Sequence, residues 1–275
     1  MKGAALCNAS RRWQVAWRRN RHAQAMRRDG YVAIANLLPS EAFARLRDEV
    51  HTTVQRVHNV SPPRENLKPG FQPQEHTDWG YDRFDGGTLN RFIRTDSQTM
   101  PELKAFCRNA VLSNLSRLVV GLPVRAGNVR IYETINGDED QNPDIQKDFH
   151  RDTFFSSMKF WYFIDEVTEE NGPFMYVPGS HKLTAKRIHW ENRMAQAASD
   201  RKRETGRAGG GSFRISETHI AELGLPAPTS LTVPGNTMVI ADTLGFHRRG
   251  DAVPGSRRLS IYSSNRPMPF VPFGL

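Results

Sequence analysis

The sequence predicts a mainly β fold, built as two packed sheets or a barrel with helices flanking it. After Val124 the chain breaks into short β-branched and aromatic runs divided by Gly, Pro and Asn turns. Before that point, apolar residues recur at helical spacing. At 275 residues and 38% apolar content the chain can bury a sizeable core, and no stretch approaches the ~20 apolar residues of a membrane span. The expected organisation is a basic segment over 1–28 and a single domain over 29–275 with an inserted lid-like segment at 183–212.

Charge is distributed unevenly. Lys2, Arg11, Arg12, Arg18, Arg19, Arg21, Arg27 and Arg28, with no acidic residue among them, give the first 28 residues +8 of the chain's net +9. Trp13, Ala16, Trp17, Ala23 and Met26 fall along one face of a helix, so this segment is expected to pack its apolar face on the domain behind it. Weak contact with an anionic membrane surface is the second reading. Basicity this local does not call for nucleic acid. Met1–Ser10 is too short and too weakly apolar for a secretory signal, which points to a cytoplasmic protein. Cys7 and Cys107 are too few for a disulfide framework or a cysteine zinc site, and two reduced thiols are expected.

In chain order, Asp29-Gly30 leads into a strand over Tyr31–Ile34. Ser40 is placed to cap a helix in which Phe43, Leu46, Val50 and Val54 recur. Residues 59–88 are rich in Pro, Gly, charge and aromatics and read as a loop at a binding face. Leu103, Phe106, Val111, Leu115 and Leu118 predict a helix or helix pair closed by Gly121 and Pro123. Strands follow at Val124–Tyr132, around His150, at Met158–Asp165 and at Pro173–Val177. A polar helical stretch, Leu183–Arg207, and the flexible Ala208–Ser212 interrupt them. Strands resume at Thr229–Val233, Thr237–Ala241, Phe246–Arg249 and Arg258–Ser263.

The chemistry concentrates in Phe149-His150-Arg151-Asp152-Thr153 and Gly245-Phe246-His247. On an extended strand His150 and Asp152 project to one face, and His247 from a distant strand would complete two imidazoles and a carboxylate, the facial arrangement of non-haem Fe(II) oxygenases. Three open positions then remain, two for a chelating 2-oxo acid and one for O2. Arg258, eleven residues after His247, is a guanidinium suited to a remote carboxylate, and Ser260 faces the same side with a hydroxyl donor. His76-Thr77-Asp78 repeats the His-x-Asp spacing, but among Pro73, Trp79 and Gly80 no regular strand is expected.

These motifs resemble, in order, those of the phytanoyl-CoA dioxygenase family of Fe(II)/2-oxoglutarate oxygenases. They are Asp29-Gly30-Tyr31-Val32 with Leu38-Pro39, His150-Arg151-Asp152, Asn171-Gly172-Pro173-Phe174 running to Pro178-Gly179-Ser180-His181-Lys182, and His247 followed by Arg258. The resemblance implies a double-stranded β-helix, or jelly roll, with helices against one side. It implies that His150, Asp152 and His247 bind Fe(II), that Arg258 binds the far carboxylate of 2-oxoglutarate, and that Trp161 lies beside that co-substrate. Arg249 departs from the small polar residue of some relatives. The implied reaction is oxidative decarboxylation of 2-oxoglutarate to succinate and CO2, coupled to hydroxylation of a small-molecule substrate. Asp152 argues against halogenation, which needs a small residue there; desaturation and ring closure use the same ligands.

Two other classes share parts of this pattern. A zinc hydrolase would use the same three ligands but has no need of Arg258, and a non-catalytic membrane-attached module would not need an intact triad. His181 is expected to be structural, and His51, His58, His189 and His219 to lie at the surface. Trp79, Tyr81, Arg91, Arg94 and Trp190 are candidates for substrate contact. Cationic residues in the expected loops favour an anionic or heavily hydroxylated substrate.

Overall fold

The computed structural model describes residues 1–12, 20–66, 74–138, 142–205 and 212–271. Two helices open the chain, α1 (Lys2–Arg12) and α2 (Arg21–Asp29), followed by β1 (Tyr31–Ile34), α3 (Ser40–Val60), β2 (Glu75–Thr77), β3 (Gly80–Asp85) and β4 (Thr88–Arg94). Next come α4 (Pro101–Phe106), α5 (Ala110–Val120), β5 (Arg130–Ile135), β6 (His150–Arg151), β7 (Met158–Phe163) and β8 (Phe174–Tyr176). The remainder is α6 (Ala185–Thr205), β9 (Phe213–Arg214), α7 (Glu217–Glu222), β10 (Thr229–Leu231), β11 (Thr237–Asp242), β12 (His247–Arg249) and β13 (Arg257–Asn265).

The strands form two antiparallel sheets. One has the order β1-β11-β7-β13-β5-β4-β3-β2 and the other β10-β8-β12-β6-β9. From β5 onward the chain passes back and forth between them, which is the winding of a double-stranded β-helix. The strands of the larger sheet read as nearly continuous apolar runs because both of their faces are covered. Phe160 and Tyr162 of β7, Met238 and Ile240 of β11, and Leu259 and Ile261 of β13 join the cluster beneath α3, α4 and α5. Their alternate neighbours Trp161, Phe163, Val239 and Ala241 point into the space between the sheets. Full burial of each such side chain contributes roughly 1.5–3 kcal/mol.

Local signals set the entry to this core. Asn20 caps α2 by accepting the His22 N–H at 2.8 Å, and Gly30, at φ +88°, closes it with its own N–H donating to Met26 O at 2.9 Å. Ala23 and Met26 are buried in the shared core as the amphipathic reading expects, whereas Trp13, Ala16 and Trp17 lie outside the described residues. The α1 helix docks on α5, with Ala4 buried and Asn8 Nδ2 donating to Val119 O at 3.2 Å. No helix of the described residues is long and apolar enough to cross a membrane.

The region read as a loop over 59–88 is a correction. Its second half folds as β2 and β3 and joins β4 in extending the larger sheet, with Asp85 paired to Thr88 across Gly86-Gly87. That Asp-Gly-Gly-Thr sequence is a two-residue hairpin signal which the surrounding charge obscured. The polar insert folds as α6, and its first half is anchored: Arg187, Trp190 and Glu191 are buried. Residues 206–211 of the insert lie outside the described residues.

Candidate metal centre

The two histidines meet because their strands pair at that register. His247 on β12 lies opposite His150 on β6, with ring centroids 4.6 Å apart. Asp152 stands just past β6, its N–H donating to Thr243 O at 3.0 Å, so a bend rather than a longer strand presents the carboxylate. Its Oδ1 lies 3.8 Å from His150 Nε2 and 3.6 Å from His247 Nε2. The three ligand atoms fall within 4.8 Å of one another, close enough to share one ion.

The protonation pattern fits a cation. His150 Nδ1 donates to Asp148 O at 2.7 Å and His247 Nδ1 to Gly245 O at 2.9 Å. A carbonyl only accepts, so each ring proton sits on Nδ1 and each Nε2 turns its lone pair to the centre. Burial, with His247 close by, pushes His150 down to about 3, so it is neutral near pH 7. Burial by itself would raise the Asp152 carboxyl, but Lys159 and the adjacent His247 outweigh it and hold the group well below the usual range. Lys159 Nζ sits 2.7 Å from Oδ2, which leaves Oδ1 facing the imidazoles.

A cleft of about 190 Å³ opens from this centre between the sheets. That is less than the ~300–1,000 Å³ common for drug-sized ligands, so it suits a small molecule or the reacting end of a larger one. Trp161 and Phe163 of β7, Phe174 of β8 and Tyr262 of β13 line it. Trp161 packs on Phe174 with ring centroids 4.6 Å apart. Arg258 is buried on the cleft wall, with one guanidinium nitrogen lacking any hydrogen-bond partner and no carboxylate paired to it among the described residues. Burial, reinforced by Arg249, lowers it to about 10, so it remains a cation at neutral pH. Ser260 shares its face, but the hydroxyl donates to Tyr132 O at 3.4 Å and does not border the cleft.

Arg249 is held from several sides, by Asp144 at 2.5 Å, Asn90 Oδ1 at 2.7 Å and the Tyr132 hydroxyl at 3.2 Å. Sequence reasoning missed its partners because Asp144 and Asn90 belong to no motif and lie 105 and 159 residues away along the chain. It also missed Lys159 and Arg266, which border the cleft but belong to no motif. Several expected contacts are corrected. Trp190 is buried against Phe246 and away from the cleft, and Arg91 is buried in an ion pair with Asp82 at 2.9 Å beneath Trp79. His58, expected at the surface, is largely covered and pairs with Glu133 at 2.7 Å. His76 and Asp78 remain exposed.

A double-stranded β-helix holding two histidines and one carboxylate within a cationic cleft defines a non-haem iron oxygenase. The sequence matches the phytanoyl-CoA dioxygenase (PhyH) family over residues 26–209, and the chain belongs to that family. It is accordingly a non-haem iron enzyme dependent on 2-oxoglutarate. Among solved structures it is similar to AviO1 from Streptomyces viridochromogenes Tue57, at 17% identity and TM-score 0.50, covering 90% of this chain and 94% of that one. It is also similar to the epimerase SnoN in complex with Fe3+, α-ketoglutarate and nogalamycin RO, at 16% identity and TM-score 0.50, covering 90% and 85% of the two chains. These likenesses establish the jelly-roll fold. Comparison with curated protein sequences gives no significant match.

Proposed function

We propose that the protein hydroxylates an unactivated C–H bond of a small organic substrate, consuming O2 and 2-oxoglutarate and releasing succinate and CO2. The observation that carries this reading is Arg258, a buried guanidinium without a carboxylate, in the same cleft as the triad. A zinc hydrolase has no use for it. In this reading His150, Asp152 and His247 hold ferrous iron, Arg258 receives the far carboxylate of 2-oxoglutarate, and Trp161 flanks the co-substrate. When bound, iron and 2-oxoglutarate together supply the activation of O2, whose two oxygen atoms end in succinate and in the product hydroxyl.

The chain's own residues do the rest. The paired strands β6 and β12 fix the imidazoles before any ligand arrives, so metal binding costs little reorganisation. Phe163, Phe174 and Trp161 exclude water from one side, and a buried Arg258 orients a carboxylate more strongly than an exposed one would.

Anaerobic titration of metal-free protein with Fe(II) and then 2-oxoglutarate tests the reading. The wild type should develop the visible charge-transfer band of the chelate. Arg258→Ala should weaken 2-oxoglutarate about 10- to 100-fold while keeping iron, and Asp152→Ala should lose iron. Iron binding without the band, or zinc retention with no succinate formed in air, would overturn the proposal.

A further inference from the structure

The cleft carries more positive charge than metal and co-substrate consume. Arg83, Lys159, Arg248, Arg249, Arg258 and Arg266 border it against a single carboxylate, Asp152. Three of these cations have close carboxylate partners: Arg83 pairs with Asp85 at 2.6 Å, Arg249 with Asp144 at 2.5 Å and Lys159 with Asp152 at 2.7 Å. Arg258 is assigned above to 2-oxoglutarate.

Arg266 follows β13 in the larger sheet, and its side chain is 52% exposed at the mouth of the cleft. Its carboxylate contact is Asp152 Oδ2 at 3.6 Å, an atom that Lys159 already holds at 2.7 Å. Once iron is bound, its two charges are balanced by the two of 2-oxoglutarate and Asp152 is balanced by Lys159, so the mouth stays cationic. A cleft of one sign with low-dielectric walls concentrates counter-ions.

On the reading of the site given above, we propose that the substrate is an anion whose carboxylate or phosphate docks on Arg266 at the mouth. Arg266 is then the specificity-determining residue. A guanidinium offers a planar group two parallel hydrogen bonds, and anchoring the charged end at the mouth presents the adjoining carbons to the metal. A neutral analogue gives up the charge-assisted bonds and leaves the cationic mouth unanswered.

The test uses full-length protein loaded with Fe(II) and saturating 2-oxoglutarate, as wild type, Arg266→Gln and Arg266→Lys. Calorimetric titration with inorganic phosphate should show saturable binding that is about tenfold weaker in R266Q and partly restored in R266K, with 2-oxoglutarate affinity equal in all three. In air, hexanoate and hexyl phosphate should stimulate 2-oxoglutarate consumption more than hexanamide and hexanol do. Equal phosphate binding by wild type and R266Q, no saturable binding, or neutral compounds acting as well as the anions would overturn the proposal. A normal charge-transfer band with no effect of Arg266 defeats the anion site alone. Loss of the band defeats the oxygenase reading, and the phosphate titration still decides the anion site.

Discussion

Asp152 has two oxygens under different demands. Oδ1 faces both imidazoles, and Oδ2 is held by Lys159 at 2.7 Å. A carboxylate free to rotate could offer both oxygens to a metal and occupy a position that the co-substrate needs. Lys159, largely covered, fixes one oxygen and leaves one for coordination. Replacing it by Met preserves much of the volume but removes the cation nearest Oδ2 and leaves only Arg266 at 3.6 Å, so Fe(II) affinity should fall roughly tenfold, in the range seen when partners of metal ligands are removed. Metal titration of Lys159→Met against wild type checks this, and unchanged affinity would show that Asp152 is oriented by its backbone alone. The three ligands and Arg258 were legible in the sequence because each sits in a motif whose chemistry demands that residue type. Lys159 and Arg266 were not, because a lone cation on a strand becomes meaningful only when the fold brings it to a carboxylate or a cleft.

Segments far apart in the chain come together around β12. Gly179 N–H donates to Asp29 O at 2.8 Å, and Ser180 Oγ accepts the Phe246 N–H at 2.8 Å, immediately before His247. A side chain at Gly245 would collide with the hydroxyl of Tyr176, which itself donates to Asp242 O at 2.8 Å. The Asp29-Gly30, Pro178-to-Lys182 and Gly245-to-His247 motifs are therefore one structural unit, a relation that spacing could not reveal. The α6 helix braces it. Glu191 accepts from Arg151 at 2.8 Å and from Arg187 at 2.9 Å, and Arg187 also donates to Leu244 O at 3.0 Å and to Ser180 O. One helix thus ties the residue between His150 and Asp152 to the turn before His247. The polar composition of 183–212 predicted a helix but hid this buried cluster. Glu191→Gln leaves two buried guanidiniums without their carboxylate and should cost about 3–5 kcal/mol. Urea unfolding measures that loss. Fe(II) titration far below the unfolding midpoint should also show weaker binding than in an equally destabilised variant of the α3 face, such as Val50→Ala; equal affinities would make α6 a support for stability only.

At the scale of the molecule, the ligands of one ion come from strands separated by almost a hundred residues, so the metal can be shared only when the sheets have closed. The winding of the sheets was legible from the succession of turn-bounded strands, whereas the β2–β4 extension was masked by its charged and aromatic residues, of which Arg83 and Phe92 line the cleft while those of β2 are exposed. Because the unfolded chain cannot bring His150, Asp152 and His247 together, ferrous iron binds the native state preferentially and stabilises it by mass action. At a free concentration 100-fold above the dissociation constant this amounts to about 2.7 kcal/mol. For a domain of this size each 1 kcal/mol moves Tm by about 2–4 °C, so anaerobic Fe(II) should raise Tm by about 5–10 °C. Adding 2-oxoglutarate should raise it further, by relieving the buried, unpaired Arg258. The signature lies in the pattern across variants: Asp152→Ala should lose both increments, and Arg258→Ala should keep the first and lose the second. A wild type whose Tm ignores iron would mean that the triad does not close on a metal. An Arg258→Ala variant retaining the second increment would mean that 2-oxoglutarate is held elsewhere in the cleft.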